Sequence, residues 1–214
     1  MEIPNYDCGE GGQAGFKQLY PFMPNAPFRM LIAAPSGGGK TNILTHMLRA
    51  PLLHYDQIFL YARNLEQEKY QQLANLFDRL SAKVGYPILA CSNDIDDILP
   101  LEALNSESQK IVVFDDFVTE ANQKPIIDYF IGGRHKNCSP IYLSQSFFNT
   151  PKSVRLNCSH FCIGDFPTKR EQQTIASELG VSSEQYKKAT NKPFDFLWVD
   201  KPKKKIARNF YGSV

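Results

Sequence analysis

The sequence predicts an α/β fold: a mainly parallel sheet flanked by helices, with an antiparallel hairpin at the C-terminus. Three observations carry this expectation. Strand-like and helix-like runs alternate along most of the chain, the pattern of parallel strands joined by crossover helices. The run Lys110-Ile111-Val112-Val113-Phe114-Asp115 is apolar without alternation, as in a strand covered on both faces. A glycine cluster, Gly37-Gly38-Gly39, joins a strand-like run to a helix-like one, a junction typical of open α/β sheets.

Residues 1–27 are rich in Gly, Pro and Asn and predict an N-terminal arm, with Tyr20-Pro21-Phe22 as its aromatic element. A strand over 28–34 and a helix over 41–49 flank the glycines. A second strand covers 57–62. The segment 66–84 predicts a helix, because Tyr70, Leu73, Phe77, Leu80 and Val84 recur at helical spacing. The acidic stretch 94–99 predicts a short helix. The strand over 110–115 follows. The segment 122–131 predicts a helix, with Pro125 in its first turn and Gly132-Gly133 ending it. Strands are expected over 140–143 and 157–163. Thr168 and Glu171 predict a capping box opening a helix that ends at Gly180, and Ser182 with Gln185 a second cap. Segments 194–199 and 205–210 predict the closing hairpin. One domain, 28–214, is therefore expected after the arm.

Composition excludes several classes. No run of about 18 uncharged apolar residues occurs, so no membrane span is expected. The N-terminus carries Glu2 and Asp7 without an apolar stretch, unlike a signal peptide. Five cysteines fit a reduced protein better than a disulfide scaffold. Cys158, His160 and Cys162 suggest zinc by residue type, but their period of two is that of one strand face. Net charge is only +2, with five bases and no acid from 201 to 214. That basic stretch lies between two strand-like runs and reads as a solvated turn.

The chemistry is concentrated in Ala34-Pro35-Ser36-Gly37-Gly38-Gly39-Lys40-Thr41. Between a strand and a helix this is a phosphate-binding loop: glycines let backbone N–H groups converge on a phosphate, and the helix dipole adds positive potential. Lys40 is expected to reach the β- and γ-phosphates of ATP and the Thr41 hydroxyl to hold Mg²⁺. The pattern asks for Gly at the first position, where this chain has Ala34.

A second motif is the acidic pair Asp115-Asp116 at the tip of the buried strand. Asp115 is the expected Mg²⁺ ligand and Asp116 the group that orients an attacking water. Gln145, past the tip of the next strand, is expected to sense the γ-phosphate or position water. The basic loop Gly133-Arg134-His135-Lys136-Asn137 offers Arg134 as an arginine finger toward a neighbouring subunit, or as a contact to DNA phosphate. Arg155 is the second candidate finger.

Together, Tyr20-Pro21-Phe22, Phe28-Arg29-Met30, the loop, Asp115-Asp116, Gly133-Arg134-His135-Lys136-Asn137, Tyr142-Leu143-Ser144-Gln145-Ser146 and Pro151-Lys152-Ser153-Val154-Arg155-Leu156-Asn157 resemble a family over about 20–210. That family is the genome-packaging ATPases of the FtsK–HerA superfamily, in the poxvirus-type branch of large DNA viruses, virophages and Maverick-type elements. The resemblance implies a P-loop NTPase with a RecA-like sheet. It implies a homo-oligomeric ring, pentamer or hexamer, that hydrolyses ATP with Mg²⁺ to drive double-stranded DNA into a capsid at its portal vertex. It also implies residence at virus assembly sites in the host cytoplasm and in the virion. By position it carries Lys40, Thr41, Asp115, Asp116 and Gln145 over as site residues, with Arg134 as the finger. A small nucleoside or nucleotide kinase and a non-catalytic nucleotide-binding scaffold are the alternatives.

Overall fold

The computed structural model describes residues 22–49, 52–210, 212 and 214. Tyr20, Pro21 and most of the expected arm lie outside the described residues. Eight strands form one sheet: β1 (Met30–Ala33), β2 (Gln57–Ala62), β3 (Leu89–Ser92), β4 (Lys110–Asp115), β5 (Cys138–Ser144), β6 (His160–Ile163), β7 (Leu197–Asp200) and β8 (Lys205–Arg208). Their order is β3-β2-β4-β5-β1-β6-β7-β8. The first six strands are parallel, while β7 runs antiparallel to both β6 and β8. The expected hairpin is therefore present as one edge of the sheet.

Among the described residues six α-helices cover the sheet: α1 (Lys40–Arg49), α2 (Glu68–Val84), α3 (Lys124–Gly132), α4 (Lys152–Asn157), α5 (Lys169–Leu179) and α6 (Ser183–Ala189). Alternate residues of each strand feed two cores. Met30, Ile32, Ile111 and Val113 face Leu44 and Met47 of α1 and Leu73 and Phe77 of α2. Leu31, Val112, Phe114 and Tyr142 face Ile126, Tyr129 and Phe130 of α3, Val154 of α4, Ile175 of α5 and Tyr186 of α6. With both faces covered, β1, β4 and β5 are buried at every position. That double burial is why the sequence shows continuous apolar runs there.

Several local expectations change. The acidic stretch 94–99 forms turns, in which Asp94 accepts from the Asp96 N–H, and a 3₁₀ turn follows at Leu101–Ala103. Asp and Asn satisfy backbone donors through their side chains and so compete with helix formation. Gly132 and Gly133 do not stop the helix in a left-handed conformation. Their φ values are −105° and −54°, and a short 3₁₀ helix, Gly133–Lys136, continues to Asn137, whose φ of 50° makes the stop. A Cβ at 132 would lie 2.8 Å from Leu101 Cδ2, so a larger residue there would displace the Leu101 side chain. Asn157 ends α4 rather than opening β6. The Thr168 hydroxyl accepts from the Glu171 N–H, but the Glu171 carboxylate meets that hydroxyl instead of the backbone. The reciprocal capping box is at Ser182 and Gln185.

Candidate functional site

The register aligns the C-terminal tips of three neighbouring strands. Ala33 of β1 pairs with Ser144 of β5, and Asp115 of β4 pairs with Leu143 of β5. The glycine loop, the acidic pair and Gln145 therefore emerge at one end of the sheet, outside the carboxyl ends of the strands where α/β folds bind ligands.

The loop is held at its base by two backbone hydrogen bonds. The Ala34 N–H donates to the Ser144 carbonyl (3.2 Å), and the Gly164 N–H donates to the Ala33 carbonyl (2.8 Å). Gly37 and Gly39 take φ of 73° and 85°, values costly for any residue with a Cβ. Gly38 is required for a different reason: a Cβ there would lie 2.9 Å from the Pro35 carbonyl oxygen. Ala34 is accommodated because Gly164 faces it. A Cβ on residue 164 would come within 2.6 Å of the Ala34 methyl. The extra methyl at the head of the loop is thus matched by a missing one on β6's C-terminal extension.

Lys40 turns back onto its own loop, its Nζ donating to the carbonyls of Ala34 (2.8 Å) and Pro35 (3.1 Å). Burial lowers its pKa, opposed by the nearby charges of Asp115 and Asp116. Asp115 is buried, and its Oδ2 accepts from the Tyr70 hydroxyl at 2.5 Å. Burial raises the Asp115 pKa, and Asp116 pushes the same way, while Tyr70 and Lys40 pull it down. The Thr41 side chain pulls the Tyr70 pKa down, against the rise that burial and Asp115 cause. Asp116 holds a left-handed φ of 65°, strain of the kind that collects at functional sites. Gln145 Nε2 donates to Asp116 Oδ1 at 3.4 Å.

These residues fit the groups expected of them. A glycine cradle whose positions reject side chains suits a close-approaching phosphate. A buried carboxylate beside a second carboxylate and a hydroxyl suits a hard cation with oxygen ligands. Tyr70 was not anticipated. It stands on the apolar face of α2, and helical spacing alone marks it as a core residue.

The two arginines part company. Arg155 Nε pairs with Glu178 at 2.9 Å, and its Nη1 donates to the carbonyls of Phe147, Phe148 and Thr150 at 3.1, 2.9 and 2.8 Å. Its guanidinium also lies 5.1 Å from the centre of the Phe147 ring. It is a brace for the loop that follows Gln145. Arg134 is exposed and precedes β5, at the opposite end of the sheet from the glycine loop. Strand rise puts it roughly 20 Å from its own loop. It lines a cleft of about 570 Å³ with Arg29, His135, His160, Asp200 and Lys203. At that end His160 Nε2 lies 3.5 Å from Asp200, and its ring stacks on Trp198. Burial holds the imidazole pKa below its ordinary value against the pull of Asp200. Cys158 does not share a face with His160 and Cys162. It packs in the α3-side core and Cys162 in the α1-side core.

The Poxvirus A32 protein family model matches residues 17–189. The chain belongs to this family. Its relatives include the DNA packaging protein OPG160 of vaccinia virus and of variola virus, each 27% identical over 141 residues, or 64% of this chain and 52% of the relative. The chain thus spans about half the length of the curated relatives it matches. Among solved structures, the genome packaging NTPase B204 of Sulfolobus turreted icosahedral virus 2 bound to sulfate superposes with a TM-score of 0.64. The identity is 16% over 89% of this chain and 98% of that one. The same NTPase with ATP-gammaS gives 0.61 at 12% identity, over 88% and 98%. The A32-family chain therefore has the fold of that NTPase, a mainly parallel α/β sheet of the kind its glycine loop and strand pattern led one to expect.

Proposed function

We propose that residues 28–214 form an ATP-hydrolysing motor domain that moves double-stranded viral DNA into a capsid. The observation that carries this reading is the contact of Gln145 with the strained Asp116, beside the Lys40 loop. Three motifs separated by over a hundred residues of sequence meet at one sheet end. The packaging names of the relatives supply the cargo, and double-stranded DNA enters on that ground alone.

In this reading the loop 34–41 cradles the ATP phosphates, and Lys40 leaves its carbonyl partners to neutralise the β- and γ-oxygens. Thr41 and Asp115 would hold Mg²⁺, which when bound would supply positive charge against the phosphate oxygens. Tyr70 orients Asp115 by its hydroxyl hydrogen bond. Asp116 accepts a proton from water, and Gln145 fixes the Asp116 carboxylate and reports on the γ-phosphate. Catalysis of this kind is positioning and electrostatic stabilisation. With Arg155 engaged as a brace, Arg134 is the finger, and its distance from its own loop requires delivery to a neighbouring copy. That requirement favours a homo-oligomeric ring; the motor domain takes in the end of the expected arm, since Met23 is buried in the α1-side core and Phe22 stacks on Phe210. The ring docks at a capsid or portal vertex in the host cytoplasm and travels with the virion. No helix among the described residues is long and apolar enough to cross a membrane.

The test is ATP turnover with and without duplex DNA at low and high salt. Turnover should rise with DNA, and the rise should shrink at high salt, as phosphate-backbone contacts predict. Phosphoryl transfer to a nucleoside without DNA, or nucleotide binding with no turnover under any condition, would overturn the reading.

A further inference from the structure

Beside the glycine loop lies a hollow of about 430 Å³, distinct from the Lys40–Asp116 cluster. One wall is the loop itself, Pro35 to Gly38. The other is the connection between α6 and β7, which includes Asn191, Lys192, Phe194 and Asp195. Three features of that second wall are unusual. Phe194 is 68% exposed, a heavy cost for a benzyl group with apolar cores available on both faces of the sheet. Its φ is +67°, a conformation that a bulky residue adopts only when the surroundings impose it. Its ring edge sits against the phosphate loop, where a Cβ on Gly39 would lie 3.3 Å from Phe194 Cδ1. The ring is therefore held at the loop, with most of its surface turned outward.

A further feature of that wall is an unsatisfied acceptor. Asp195 Oδ1 accepts from Asn209 Nδ2 at 3.0 Å. Among the described residues, Asp195 Oδ2 is buried and has no hydrogen-bond partner. A buried carboxylate oxygen without a donor is costly, and a ligand that brings one relieves the cost. Asp165, from the connection between β6 and α5, also lines the hollow, and among its lining residues Lys192 is the one cation. Such a surface repels phosphate and accepts a neutral group rich in N–H and O–H donors.

We propose that this hollow seats the nucleoside end of the triphosphate, with the base stacked on Phe194 and Asp195 Oδ2 accepting from a base amino group or a ribose hydroxyl. The proposal rests on the phosphate-loop reading and adds the residues that tell a nucleotide from a bare polyphosphate.

The experiment is calorimetric binding of ATP and of inorganic triphosphate to the whole chain, wild type and variants, without hydrolysis. Wild type should bind ATP more tightly than triphosphate. Phe194→Ala should weaken ATP roughly five- to hundredfold, the range for loss of one base–aromatic stack, and leave triphosphate unchanged. Phe194→Tyr should restore ATP binding. Phe194→Gly should match Phe194→Ala in binding while relieving the strained backbone, which separates lost stacking from lost folding. Asp195→Asn should weaken ATP and spare triphosphate. Among analogues, 2′-deoxyATP, 3′-deoxyATP and purine riboside triphosphate identify whether the ribose or the base supplies the donor, and at least one of them should bind less tightly than ATP. Equal affinity for ATP and triphosphate, or full ATP affinity in Phe194→Ala, would overturn the nucleoside seat while leaving the phosphate loop intact. Failure of wild type to bind either ligand would overturn both.

Discussion

At the C-terminal tips of β1, β4 and β5 the chain leaves Gln145 exposed and Asp116 half-buried, and holds Gly37, Gly39, Asp116 and Phe194 in left-handed conformations. At the other end of the same sheet His160 and Asp200 are buried, stacked on Trp198 and braced by Lys203. Both ends bury a carboxylate, Asp115 at one and Asp200 at the other. At the first, burial raises the acid's pKa and a second carboxylate stands next to it. At the second, an imidazole and an ammonium face the acid and aromatic rings close over the imidazole. In the proposed function the contrast separates polar groups arranged for a ligand from polar groups arranged for the fold. The first carboxylate stands beside a second one, and the other is paired with a cation and an imidazole of the chain.

The largest effect should come from the loop end. Lys40→Ala should reduce ATP turnover by about 10²–10³-fold, the cost of one preorganised charge-stabilising donor, with the unfolding temperature nearly unchanged. Steady-state phosphate release together with a melting curve checks both halves. A large fall in melting temperature would place Lys40 with the structural residues.

Next is the packing beneath the loop. Gly164→Ala should destabilise by about 1–3 kcal/mol, as overpacking does, because the new Cβ meets the Ala34 methyl. Adding Ala34→Gly should recover part of that loss. Denaturant midpoints of the two single variants and the double variant measure the coupling, and simple additivity would show that the two methyls do not compete.

The closed end should show itself in pH dependence. The folded-state pKa of His160 lies below its ordinary 6.5, so between those values the unfolded chain binds more protons. Stability contributed by neutral His160 is then complete above pH 6.5 and is lost as pH falls below it. Urea midpoints from pH 7.5 to 5 should fall, by about 1–2 kcal/mol in stability, and His160→Phe should flatten that slope. An unchanged slope would mean that folding leaves the imidazole pKa where it is in the unfolded chain.

A smaller effect of opposite sign belongs to Asp115. Its raised pKa means that the ionised form costs stability at neutral pH. Asp115→Asn should therefore raise stability by up to about 1 kcal/mol while abolishing turnover. A destabilised Asn variant would put Asp115 in the same class as Asp200.

The sheet and the loop end were legible from sequence because their signals are local. Unbroken apolar runs report double burial, and the glycines report a backbone no other residue tolerates. β3 was missed because it is a four-residue edge strand with its middle positions exposed, leaving no apolar pattern. α4 was missed because six residues with only Val154 buried show no helical period. Tyr70 escaped because its partner Asp115 is 45 residues away and its helix position reads as core. Arg155 read as a candidate finger because exposure cannot be seen in a sequence, and Glu178 and three carbonyls claim it only after folding. Phe194 and Asp195 gave no signal either: strain and an orphaned oxygen are properties of the folded chain.

The central claim is that Asp116, steadied by Gln145, acts on water rather than on nucleotide binding. It is tested most directly by measuring ATP affinity and the single-turnover hydrolysis rate of Asp116→Asn with Mg²⁺ present. The account predicts affinity within a few-fold of wild type and hydrolysis slower by about 10²-fold or more. Hydrolysis at the wild-type rate would contradict it.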